Sequence, residues 1–151
     1  MDIEKTCAFT GHRVIRDIID GEQLERIVTE YIDGGYDTFL CGMAIGFDML
    51  AAELILKIKE TRNIKLVACV PCPAQEKYFS PEDKKRYGEI IARCDEVRVL
   101  NDHYYRGCMQ MRDRYMVDNA SLVIAYRRVN EGGTHYTVKY AAENGKKICF
   151  I

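Results

Sequence analysis

The chain has 151 residues, 48% hydrophobic and 30% charged, one domain's worth of an ordinary globular protein with enough apolar matter for a core. A formal net charge of -1 gives no global field toward nucleic acid or an anionic membrane, so any such binding must come from a local patch. No window approaches the roughly 18 apolar residues of a membrane span, and the opening MDIEKTCAFTGHR, charged from residue 2, lacks signal-peptide character.

The first apolar run, TCAFTG at 6–11, reads as a short strand ending in turn residues. EQLERIVTEYIDGG then sets Leu24, Ile27, Val28, Tyr31 and Ile32 at helical spacing and stops at a glycine pair. A second strand is expected at 37–42 (DTFLCG), followed by a more apolar helix, GFDMLAAELILKIKET. IKLVACV at 64–70 is apolar almost throughout, as a central parallel strand covered on both faces should be.

A loop, PCPAQEKYF, follows. Ser80 then caps a helix that has Pro81 at its first position and Asp83 in its capping turn. EVRVL (96–100) is a fourth strand. RGCMQMRDRYMVDNA is a helix, with Cys108, Met111 and Tyr115 expected as its core stripe. SLVIAY (121–126), the helix THYTVKYAAENG with Thr134 as N-cap, and KKICFI complete the pattern.

Seven cysteines, mostly in apolar segments, read as reduced thiols and a cytoplasmic location. The Cys69–Cys72 pair in CVPC lacks the second pair of a zinc site, and Pro71 and Pro73 favour an extended exit from the strand over a redox helix start. No metal is expected, and no cofactor.

Strands alternating with helices imply parallel pairing through right-handed crossovers. The expected fold class is α/β, a single Rossmann-like three-layer sandwich over 1–151 with a mostly parallel sheet of about five to six strands. In such sheets ligands sit outside the carboxyl ends of the strands, so the loops after strands are the places to look.

The loop CGMAIGFD offers Gly42 and Gly46 for a tight turn and a close backbone approach, then a helix start that could hold an anion. It is neither a Walker A loop nor the dinucleotide fingerprint. Asp48 would repel an anion beside it; its plain reading is a first-turn acid complementing the helix dipole. Glu53 sits in an otherwise apolar run, so it is either a buried carboxylate needing a partner or a solvated helix edge.

Thr10, Gly11, His12 and Arg13 bring a hydroxyl, a flexible glycine, an imidazole and a guanidinium directly after a strand, and Arg13 suits a bidentate phosphate contact. Gly132, Gly133 and Thr134 make a second potential anion cradle. Arg112 and Asp113 are expected to point away from the core stripe of their helix, Arg112 either reaching the ligand rim or pairing with a surface acid. Arg106, Arg112, Arg114, Arg127 and Arg128 could form a basic patch, with Tyr104, Tyr105 and Tyr126 able to stack bases.

CAFTGHR, CGMAIGFDMLAAE, MRDRYMVDNASLVIAY and EGGTHYTVKYAAENGKKI together resemble the YpsA-like branch of the SMF/DprA–LOG (SLOG) superfamily, over almost the whole chain and in order. The resemblance implies a nucleotide, a nucleotide-derived ligand or nucleic acid at this rim. It implicates Gly42, Gly46 and Asp48, which are similar to a DprA stretch, and Gly132, Gly133 and Thr134, which look like a reduced LOG motif. Arg112 falls where LOG enzymes have a functional arginine. His135, Tyr136 and Thr137 stand near the place of the LOG catalytic glutamate, and no proline precedes Gly132.

The expectation is therefore a cytoplasmic module that binds a nucleotide or nucleotide-derived ligand containing ribose and phosphate. Gly46, Gly133 and Arg13 would hold phosphate, and Asp48 or Glu53 the ribose hydroxyls. One alternative is a LOG-like hydrolase using Glu53, Asp48 and Arg112; another is a DprA-like binder of single-stranded nucleic acid. No membrane partner is expected, and a homo-oligomer is compatible with this reading.

Overall fold

The computed structural model describes residues 2–151. Six strands, β1 (Thr6–Gly11), β2 (Thr38–Cys41), β3 (Lys65–Val70), β4 (Glu96–Val99), β5 (Leu122–Tyr126) and β6 (Lys147–Phe150), form one parallel sheet in the order β4-β3-β2-β1-β5-β6. Five helices connect them: α1 (Gly21–Asp33), α2 (Phe47–Ile58), α3 (Pro81–Arg93), α4 (Cys108–Asp118) and α5 (Gly132–Glu143). This is the expected α/β Rossmann-like architecture, with the sheet parallel throughout.

Because side chains alternate along a strand, each inner strand feeds both faces of the sheet. Phe9, Phe39, Leu66 and Ile124 pack with Leu24 and Val28 of α1, Ile55 of α2 and Ile90 of α3. Their neighbours Ala8, Leu40, Val67 and Val123 pack with Met116 of α4 and Ala141 of α5. Strands β1, β2 and β5 are therefore buried along almost their whole length, which is why they read as continuous apolar runs. The sheet is built outward from β1: successive crossovers run through β2 and β3 to β4, and the chain then jumps back to β5. Strand order reverses between β1 and β5, the place where an open sheet leaves a crevice.

Aromatic rings fix the start of α2 beside that crevice. The Phe47 ring stacks on Tyr126 at 5.7 Å between centroids and meets Phe9 edge-on at 6.2 Å, contacts worth about 0.5–1.5 kcal/mol each beyond their area. Gly11 permits this, since a Cβ there would overlap Phe47.

Ser80 caps α3 as expected, its hydroxyl accepting from the Asp83 amide at 3.1 Å. Two local expectations are corrected. Residues 71–79 are not wholly irregular, because Gln75–Tyr78 form a 3-10 turn entered through Ala74 at φ 58. Thr134 is not the cap of the last helix: α5 begins at Gly132 with Glu131 as N-cap, and Thr134 is buried within the first turn. Among the described residues, no helix is long and apolar enough to cross a membrane.

Candidate functional site

At the carboxyl end of β1 lies a cavity of about 450 Å³. Three pieces of chain form it: Thr10–Arg13 at the end of β1 and just beyond, Tyr104, Arg106 and Gly107 with the adjoining face of α4, and Glu131–Thr134 at the start of α5. Asp48 and Ala44 close its floor from the β2–α2 turn.

Helix starts explain why this place can take an anion. A helix leaves its first amides unbonded and puts a partial positive charge there. Asp20 caps α1, and Ser80 caps α3, with their own oxygens. The N-caps of α4 and α5, Gly107 and Glu131, make no side-chain cap, and both helix starts line the cavity. Arg13 and Arg106 also line it, and neither guanidinium has a hydrogen bond or ion pair among the described residues.

Beneath these groups lies a buried charge cluster. Arg112, 4% exposed, donates from Nε to Asp113 Oδ1 at 2.7 Å and from Nη1 to the Gly42 carbonyl and, at 3.5 Å, to the Cys69 carbonyl. It thereby ties α4 to the ends of β2 and β3. Burial opposes its charge, but Asp113 and Asp48 more than offset that and hold its pKa above the ordinary arginine value.

Asp48 accepts from the Ala44 amide at 3.2 Å. Burial pushes its carboxyl up to about 7, with Arg112 and the Ala44 amide pulling the other way and the neighbouring Asp113 adding to the rise. The Asp113 carboxyl is raised as well, again chiefly by burial and against the pull of Arg112. Two acids with raised pKa values and one arginine thus form a floor that offers both donors and acceptors.

The family assignment agrees with this architecture. The model of the YspA SLOG family matches residues 8–150. The chain belongs to that family. It is similar to the UPF0398 protein of Macrococcus caseolyticus, with 25% identity over 132 residues, spanning 83% of this chain and 72% of that one. The UPF0398 protein of Halalkalibacterium halodurans is 27% identical over 121 residues, spanning 78% of this chain and 64% of that one.

Among solved structures, the fold matches DNA processing protein A of Streptococcus pneumoniae with a TM-score of 0.68 at 18% identity, covering 97% of this chain and 50% of that one. It also matches DNA processing protein A of Helicobacter pylori, described for a single-stranded DNA binding mode, with a TM-score of 0.66 at 16% identity, covering 96% of this chain and 64% of that one. The chain thus spans half to two thirds of these solved chains. The resemblance to the YpsA-like branch of SLOG is borne out, and so is the DprA-related fold.

In this SLOG chain the expected site residues separate into two groups. Thr10, Gly11, His12, Arg13, Asp48, Arg112, Gly132, Gly133 and Thr134 all line the one cavity. Gly42 and Gly46 do not line it. A Cβ on Gly42 would stand 2.8 Å from Arg112 Nη1, and one on Gly46, at φ 81, would overlap the Arg13 carbonyl. The Phe47 amide donates to the His12 carbonyl at 3.2 Å, so the TGHR loop itself occupies the start of α2. That glycine-rich turn joins two loops, and the anion-binding role expected for Gly46 does not fit this geometry.

Glu53 lies outside the cavity. Its side chain is 46% exposed and bonds Arg86 of α3, with Nε to Oε2 at 3.0 Å. The solvated-edge alternative describes it, and its candidacy as a catalytic or ribose-binding acid has no support in its position. Arg112 meets the cavity from its buried floor: the buried residues of α4 are Cys108, Arg112, Met116 and Val117, not the stripe Cys108, Met111 and Tyr115.

His12 binds the protein rather than presenting a base. Its Nε2 accepts from the Arg128 amide at 2.7 Å, and its pKa is lowered by burial and by Arg16, Arg128 and Arg127. Tyr126 is fully buried and cannot stack a base. The arginines expected as a patch are spread out: Arg114 donates to Tyr136, Arg127 lies over Phe150, and Arg128 lies over Tyr126.

The sequence reading missed Asp113. Met109, Arg112, Asp113 and Met116 all face the cavity, and their spacing of three, four and seven is one face of a helix that could have been read from the chain.

Proposed function

We propose that this cavity binds a nucleotide or a nucleotide-derived ligand containing ribose and phosphate, in a cytoplasmic module. The observation that carries the reading is the convergence on one cavity of two helix starts without side-chain caps and two arginines that make no hydrogen bond or ion pair among the described residues. Orphan amides and guanidinium groups are the donors a phosphate recruits. Asp113 and Asp48 lie below them and offer hydrogen-bond partners for ribose hydroxyls. A volume of about 450 Å³ falls in the range of small-molecule sites.

Calorimetric titration with AMP and ADP-ribose tests the proposal. Binding of either should weaken at least tenfold in Arg106→Ala and in Arg13→Ala, with the melting temperature of the free protein unchanged in both. If neither compound binds at millimolar concentration, the reading is wrong.

A specific feature favours a second reading, in which single-stranded nucleic acid occupies the same rim. Tyr104 is 67% exposed beside Arg106 at the cavity mouth, an arrangement able to stack a base against a paired phosphate contact. That reading predicts affinity for an oligonucleotide falling with salt at a slope near -0.7 for each phosphate contact. A strand held by Arg13 and Arg106 would have a slope of about -1.4, and each alanine variant should remove about half of it.

A further inference from the structure

The cavity does not end at Arg13. A second hollow of about 290 Å³ opens between the β2–α2 turn and the segment before α3, and Arg13, Ala44 and Met109 line both spaces. The guanidinium of Arg13 therefore stands at the junction, without a hydrogen bond or ion pair among the described residues.

The chemistry changes across that junction. The inner space carries charge: Arg106, Arg112, Asp48 and Asp113. The outer one presents Ile45, Tyr78 and Phe79; besides Arg13 at the junction its one charged group is Asp83, which disfavours an anion there, and Gln75 and Ser80 are engaged by the protein. Gln75 donates to the Gly42 carbonyl at 3.1 Å, and the Ser80 hydroxyl caps α3 by accepting from the Asp83 amide. With α3 capped, the outer hollow has no cradle for an anion. It has three apolar or aromatic wall residues, among them Tyr78, whose ring is 89% exposed, held by the 3-10 turn and overlain on one face by Lys77 Nζ at 5.3 Å from its centroid. An exposed ring on an ordered turn beside an apolar hollow is a surface for a flat ring to stack on.

We infer that the outer hollow is a ring-binding subsite of the same cleft and that the ligand has two nucleoside units bridged by phosphate. One unit fills the inner space, the bridge contacts Arg13, and the second base stacks on Tyr78. This rests on the nucleotide reading above and adds to it a preference for dinucleotides over mononucleotides.

The test is calorimetric titration of the whole chain with AMP, with diadenosine diphosphate (a pyrophosphate bridge) and with the deoxydinucleotide pdApdA (a phosphodiester bridge). Wild type should bind one of the two dinucleotides at least tenfold more tightly than AMP, and which one identifies the bridge. Tyr78→Ala should weaken that dinucleotide about tenfold and leave AMP unchanged, the effect of losing one base stack. Tyr78→Trp should restore dinucleotide affinity, which a merely structural role for the tyrosine would not predict.

If AMP binds as tightly as both dinucleotides, or if Tyr78→Ala leaves the dinucleotide unaffected, the subsite is refuted while the nucleotide reading stands. If AMP and the dinucleotides weaken equally in Tyr78→Ala, the residue supports the fold and the subsite is again refuted. If none of the three binds, the subsite is refuted, and if ADP-ribose fails to bind as well the nucleotide reading falls with it.

Discussion

Asp48 gives the sharpest quantitative test of the buried cluster. Replacing it with asparagine keeps the shape and an oxygen able to accept from the Ala44 amide, and removes the ionisation. The carboxyl is held near 7 in the fold against an ordinary 3.8. The neutral form is therefore favoured in the folded chain by at most ~4 kcal/mol, at ~1.36 kcal/mol per pH unit between the two values.

The sign follows from proton binding. Below about pH 4 the carboxyl is protonated in folded and unfolded chains alike, and the wild-type acid costs nothing relative to asparagine. Between about 4 and 7 the unfolded chain releases its proton while the folded chain keeps it, so wild type loses stability as pH rises. Above 7 both are ionised and the loss is complete. Asp48→Asn should therefore match wild type near pH 4 and exceed it at pH 8 by up to ~4 kcal/mol, a large part of a typical 5–15 kcal/mol stability.

Urea unfolding at pH 4, 5, 6, 7 and 8 measures this directly. With a slope of about 2 kcal/mol per molar, the difference in midpoint should grow from zero to ~2 M across that range. A midpoint difference that does not change with pH, or a variant weaker than wild type at pH 8, would refute a buried, mostly neutral Asp48.

Three further outcomes follow from the same contacts. Arg112→Met leaves the Gly42 carbonyl without its arginine donor and takes the partner from the buried side of Asp113; urea unfolding should show a loss of about 3–5 kcal/mol. Gly46→Ala places a Cβ against the Arg13 carbonyl at a φ of 81, so it should cost more than ~2 kcal/mol and loosen the TGHR loop, read as faster amide exchange there. Glu53→Gln removes half of a solvent-exposed pair with Arg86, so stability should change by less than ~1 kcal/mol and nucleotide affinity should not change at all.

Most of the scaffold was legible because local rules and the global fold agree. The buried parallel strands are apolar throughout, and Ser80 with Pro81 marks a helix start by the same chemistry that caps it in the structure. Glu53 was legible too, on a different pattern. With Lys57, four residues on, it forms the exposed edge of an otherwise mostly buried helix. Its apolar immediate neighbours in sequence point the other way because α2 is covered on nearly every side. Arg112 was not legible, since a guanidinium on a core stripe violates the hydrophobic pattern. It is tolerated there because the adjacent Asp113 carboxylate and carbonyls from two strand ends surround it, and those carbonyls come from 43 and 70 residues away in the chain.

The glycines carry the strongest lesson about the site. A glycine after a strand signals that something comes close to the backbone, without saying whether it is a ligand or the chain itself. At Gly11 the visitor is Phe47, at Gly42 it is Arg112, and at Gly46 it is the Arg13 backbone. These three turns are filled by the protein, and they hold together the loops that form the cleft. At Gly132 and Gly133 a Cβ would meet nothing within 4 Å, although both residues face the cavity and begin an uncapped helix. Gly107, at the start of α4, has the same open space and faces the same cavity, although the Cys108 amide there is taken by the Tyr105 carbonyl. The nucleotide reading therefore puts a phosphate at the starts of α4 and α5 and not at the start of α2, where the sequence placed its most conspicuous glycine turn.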